Sequence, residues 1–80
     1  MRHAIRFRKD TNVTLHPPQG ESSKALRGKM VKGQTLLVMI RPYVKNGVEY
    51  ADLLLEDGGE ATGIRYADFK FIETEDEEIE

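Results

Sequence analysis

Few residues in this chain have the types and spacing that chemistry requires. There are two histidines, His3 and His16, a handful of hydroxyls and no cysteine. Nucleophilic catalysis needs a hydroxyl or thiol within reach of a base, yet His3 stands beside the N-terminus. His16 precedes Pro17 and Pro18 in a loop-like stretch, where an ordinary exposed imidazole is expected. Two acids, Asp52 and Asp68, each close a Tyr-Ala-Asp triplet, and paired carboxylates are the usual means of general acid–base work. Their surroundings differ, because one follows a hairpin and the other lies in a turn. Two distant histidines among scattered acids make no metal-ligand spacing. No catalytic, metal or cofactor residues are therefore assigned, and a non-enzymatic protein is expected.

The stretch LEDGGEATGIRYADF, residues 55 to 69, holds Gly58, Gly59 and Gly63 among Glu56, Asp57, Glu60 and Asp68. A phosphate cradle places glycines after a strand and before a helix whose N-terminus faces the anion. Here the glycines join two strand-like runs, and the neighbouring acids would repel a phosphate. The alternating oxygen ligands of a calcium loop are also missing. A turn is the expectation.

The elements that must position these residues are strands. AIRFR puts Ile5 and Phe7 on one face, NVTL puts Val13 and Leu15 together, and QTLLVMIR and VEYADLLL are rich in residues suited to a pleated surface. Asn46-Gly47 is a favoured two-residue hairpin turn, and Asp57-Gly58-Gly59 makes a second corner. The one helical hint, ESSKALRG, has Ser22 or Ser23 as cap and Gly28 as stop; it reads as a structured loop. Eighty residues make one domain, which buries only about 60% of the surface its unfolded chain exposes. The core expected from side-chain alternation is Leu36, Val38 and Ile40 against Ala51, Leu53 and Leu55, with Val13, Ile64 and one of Phe69 or Phe71.

Charge divides along the chain. Residues 1 to 45 carry ten Lys or Arg against Asp10 and Glu21, a balance of +8, and residues 46 to 80 carry two against twelve acids, a balance of −10, which sum to the net −2. The last eight residues, ETEDEEIE, hold six acids and should form a solvated, disordered tail. No apolar run approaches the roughly 20 residues of a membrane span, and the start has no stretch of signal-peptide length. A cytoplasmic setting without membrane contact is expected, with a domain excised from a longer protein left open.

The order of these features resembles that of bacterial Src homology 3 (SH3) domains over about residues 10 to 72. TNVTLHPPQGESSKALRGKMVKGQTLLV has an Asn-Val strand, a long Pro/Gly/Ser loop and a Gly-containing run leading into a strand. NGVEYADLLLEDGGEATGIRYADFKFI has an Asn-Gly hairpin, an Asp-Gly turn, a Thr-Gly strand start and an aromatic six residues beyond, Phe69 after Gly63. The resemblance implies an all-β fold: one small SH3-like β-barrel of about five strands over residues 1 to 72, with a short 3₁₀ turn at YADF before a closing strand KFIE, and the acidic tail over 73 to 80. The family's tryptophans are replaced by Val48 and Ile64, so its recognition surface is altered. Carried across residue by residue, the groove that binds peptides in the family corresponds to His16, Pro17 and Pro18 on the long loop, Tyr43 and Tyr50 near the hairpin, and Tyr66 and Phe69 at the 3₁₀ turn.

Strand alternation adds a feature of its own. With Leu36, Val38 and Ile40 inward, Leu37, Met39 and Leu54 point outward, and Val48 and Tyr50 share the side of Leu54, where polar residues are usual. A covering element or an interface is implied, including self-association through Leu37, Met39 and Leu54. The expected function is a binding module for a protein or peptide. The alternative is a nucleic-acid-binding barrel using Arg2, Arg6, Arg8, Lys9, Lys24, Arg27, Lys29 and Lys32.

Overall fold

A computed structural model of the chain describes residues 1–18 and 24–72. The tail at 73–80 and the cap residues Ser22 and Ser23 lie outside the described residues. The described part is all-β: β1 (His3–Phe7), β2 (Thr11–His16), β3 (Leu26–Met30), β4 (Thr35–Lys45), β5 (Val48–Leu54), β6 (Glu60–Arg65), a 3₁₀ turn (Tyr66–Asp68) and β7 (Phe69–Phe71). They form one antiparallel sheet in the order β3-β2-β6-β5-β4-β1-β7, curled into a half-barrel. No helix among the described residues is long and apolar enough to cross a membrane.

The turns follow from residue chemistry. Asn46 and Gly47 have φ of 53° and 78°, the pair of positive values that a tight turn matching strand twist requires. In the next corner the Asp57 carboxylate accepts from Gly59 N–H at 2.8 Å, and Leu55 N–H donates to Gly59 O at 2.8 Å. Gly59 is also held to glycine by space, since a Cβ there would lie 2.8 Å from His16 O. The glycine-rich stretch thus turns the chain and pins the end of β2.

Seven strands stand where about five were expected. The main departure is Leu26–Met30, read as a loop with a helical hint but paired along β2 from Thr11↔Met30 to Leu15↔Leu26. Ala, Leu, Arg and Lys favour helix only by tenths of a kcal/mol per residue, and the hydrogen-bonding edge of β2 outweighs that preference.

Core packing follows the expected alternation. Val38, Ala51, Leu53 and Ile64 are fully buried, Val13 and Phe69 nearly so, and Leu36, Ile40, Leu55 and Phe71 pack partly buried against them. Ile5, Phe7, Met30 and Ala61 complete the cluster. Between the pairs Leu53↔Ala61 and Ala51↔Ile64, β6 uses one more residue than β5. This bulge holds Thr62 and Gly63 opposite Asp52, and Gly63 takes φ of 82°, the left-handed conformation of a common bulge type. It allows the inward set to continue on both sides as Ala61 and Ile64.

Two substitutions check this register. Leu53→Ala should lower the unfolding free energy by roughly 2–5 kcal/mol in denaturant titrations; a variant as stable as the parent would refute the inward placement. Gly63→Ala meets no neighbouring atom within 4 Å, so backbone strain alone should cost about 1 kcal/mol or more. No loss would place the bulge elsewhere.

Candidate binding face

Alternation along β4 and β5 sends every second side chain to the outer face, and the pairings Met39↔Leu54, Arg41↔Asp52 and Tyr43↔Tyr50 set them side by side. The result is a strip that passes from apolar through charged to aromatic. At one end Leu37, Met39 and Leu54 lie together; Leu37 is 43% and Met39 39% exposed, and Leu54 is half-buried. Arg2 reaches this end and donates from Nη1 to Leu54 O at 3.2 Å. At the other end the rings of Tyr43 and Tyr50 stack at 5.7 Å and 15°. Val48 continues that end, 39% exposed.

Between the two ends sits a charge cluster. Arg41 Nη2 lies 3.3 Å from both carboxylate oxygens of Glu60 and 3.6 Å from Asp52 Oδ2. Asp52 Oδ1 is buried and accepts no hydrogen bond from any described residue. A shallow cleft of about 290 Å³ is lined here by Met39, Arg41, Asp52, Leu54 and Glu60. Desolvation, then the negative charge of Asp52 and the neighbouring Tyr50, hold the Tyr43 phenol above its ordinary pKa of 10.0. The face therefore presents two stacked tyrosine rings, an apolar patch and a guanidinium shared between two acids. Such a surface suits contact with a polypeptide, since rigid aromatic rings offer large contact area at small conformational cost.

The residues expected to form one groove divide into separate groups. Tyr43 and Tyr50 join Leu37, Met39 and Leu54 on the outer face. Tyr66 packs at the sheet edge against Phe69 (5.3 Å) and Phe71 (6.2 Å), and Phe69, 3% exposed, belongs to the core. His16 ends β2 beside Glu60, with Nε2 3.0 Å from Thr62 Oγ1, so it borders the acidic side of the strip. Pro17 follows it, and Pro18 packs over Gly58 and Gly59. The two Tyr-Ala-Asp acids sit apart, each beside its own cation: Asp52 with Arg41, and Asp68 with Lys9 at 3.7 Å. Among the described residues no group of His, Cys, Asp and Glu is arranged to hold a metal ion. Arg41 and Glu60 went unassigned in the sequence. Arg41 was legible as the outward residue between Met39 and Tyr43, whereas Glu60 arrives only through the β5–β6 register.

The cation candidates are scattered. Arg8 Nε donates to Phe69 O at 3.4 Å, Lys9 pairs with Asp68, and Arg6 Nε contacts Thr35 Oγ1 at 3.4 Å. Arg27 and Lys29 lie on β3, separated from β1 by four strands in the sheet order.

The Tyr43–Asp52 contact has a titration signature. Because folding raises the phenol pKa, its contribution to stability is complete below 10.0 and is lost as pH rises through the folded value. Asp52→Asn should move the Tyr43 midpoint down without restoring it fully, since desolvation remains; a residue-resolved NMR titration reads this directly. An unmoved midpoint would show that Asp52 does not act on the phenol. No family model, curated protein or solved structure matches this chain.

Proposed function

We propose that the chain is an SH3-like, non-enzymatic binding module that engages a protein or peptide through the outer face of β4 and β5. The observation that carries this is the contiguous strip in which exposed Leu37 and Met39 adjoin Leu54, the Arg41 cluster and the stacked Tyr43–Tyr50 pair. Apolar surface gathered on the solvent side of a small sheet usually marks an interaction site, and aromatic side chains with Arg are the residues that dominate interface energies. The SH3-like assignment draws support from element order. A long connection joins β2 to β3, an Asn-Gly hairpin joins β4 to β5, and a 3₁₀ turn precedes the last strand.

Nucleic-acid binding is the second reading. It draws on the groove of about 370 Å³ beside Arg27, lined also by Asn12, Thr14 and Thr62. Arg2, Arg8 and Lys9, however, each contact the protein itself, and Arg6 and Arg8 near β1 are separated by four strands from Arg27 and Lys29 on β3 in the sheet order.

Peptides selected from a random display library on the full chain should lose binding to Met39→Ser/Leu54→Ser and to Tyr43→Ala while the melting temperature stays near the parent's. Selected peptides indifferent to all three changes would remove the face from the function. The same double substitution should abolish any self-association seen by light scattering. For mixed DNA or RNA, no measurable affinity is expected at physiological salt. Binding that falls steeply with salt and vanishes on Arg27→Glu/Lys29→Glu would favour the second reading.

A further inference from the structure

Among the described residues the half-barrel ends at β3. This strand ends the sheet order, bonded to β2 on one side, and no strand among the described residues pairs with its other side. Its inward residues follow from the partners: Met30 opposite Thr11, Gly28 opposite Val13, Leu26 opposite Leu15. Met30 is buried, but Leu26 is 59% exposed although it sits on the core side of the sheet. An additional strand would cover it.

The outward residues of β3 are Arg27 and Lys29, both exposed. Neither side chain makes a hydrogen bond or ion pair to a described residue. Beside Arg27 runs the groove lined by Asn12, Thr14, Gly28 and Thr62, whose hydroxyl and amide groups can donate to an oxygen anion. A strand laid along β3 would have alternate residues facing this cationic, donor-rich side and the others facing Leu26 and Met30.

We infer that the free edge of β3 accepts an extended segment of another protein in which acidic and apolar residues alternate, added as a further strand of the sheet. Backbone hydrogen bonds would supply affinity, and the alternation would supply specificity. A second copy of this chain is a poor occupant. Pairing β3 with β3 sets Arg27 and Lys29 against themselves, and pairing it with β7 brings Lys70 to the same side, and like charges directly opposite destabilise a ladder. The cations that discourage self-pairing at this edge favour an acidic strand. This site is separate from the tyrosine face and stands or falls independently of it.

The test uses the full chain and a fluorescent peptide bearing Glu-Val-Glu-Val-Glu, which matches the five residues of β3. Anisotropy should report binding that weakens about tenfold or more when the same residues are regrouped with the acids together, or on Arg27→Glu/Lys29→Glu. A Lys-Val-Lys-Val-Lys peptide should recover binding to that charge-reversed variant. N-methylation of the peptide amides on one edge should abolish binding, and on the opposite edge leave it unchanged; this arm alters only the peptide, so it is independent of how the variants fold. Binding indifferent to N-methylation on either edge, or to regrouping, would overturn strand addition in favour of unspecific charge attraction. Absence of binding would refute the proposal, as would a single-stranded RNA that binds more tightly than the peptide through Arg27 and Lys29.

Discussion

The fold depends on one strand bonded along both edges at offset positions. The first part of β4, Thr35 to Val38, pairs with β1, and the rest, Met39 to Lys45, pairs with β5 on the other edge. Successive strands are thereby displaced along one another, and a displaced, twisted sheet curls rather than lying flat. Curling brings the inward residues of β1 and β7 over those of β5 and β6, so that Ile5, Phe7, Val38, Leu53, Ile64 and Phe69 share one core. A one-residue slip of β4 would turn Leu36, Val38 and Ile40 outward together, taking Val38 out of the buried cluster and its two partly buried neighbours off it.

The composition of the outer face is a consequence of the same alternation. The apolar run from Leu36 to Ile40 has more hydrophobic residues than one face can use, so Leu37 and Met39 face solvent. Nothing in folding requires them there, which distinguishes them from Val38. The Arg41, Asp52 and Glu60 cluster is no explanation by stability either. Its arginine is 68% exposed at the side chain, and solvent-exposed ion pairs contribute about 0–1 kcal/mol. Its effect is to divide the apolar end from the aromatic end.

Among the described residues the sheet ends in two edges, β3 and β7. The β7 edge is three residues long, too short to template extended pairing. The β3 edge is longer and carries Arg27 and Lys29 on its outer side, a charge arrangement that blunts unwanted pairing with a copy of the same kind. The charge pattern that protects this edge is also the one on which the proposed strand addition rests.

Much of this was determined by sequence alone. Period-two alternation selected the inward set on β4 and β5, and Asn46-Gly47 and Asp57-Gly58-Gly59 set both hairpin corners, while the Tyr66–Asp68 turn was expected only from the resemblance to SH3 domains. Alternation and corners are local properties, carried by backbone preferences and side-chain parity within a few residues. Strand β3 was not legible, because its own residues lean towards helix and only the edge of β2 makes it extended. Nor was the division of the aromatics: Tyr50 and Tyr66 each open a Tyr-Ala-Asp triplet, yet Tyr50 stacks on Tyr43 across β4 and β5 while Tyr66 packs against Phe69 and Phe71. The meeting of Arg41 with Glu60 needed the register of three strands. Tertiary structure decided these points because cross-strand neighbours are chosen by ladder register, and register is a sum over contacts far apart in the chain.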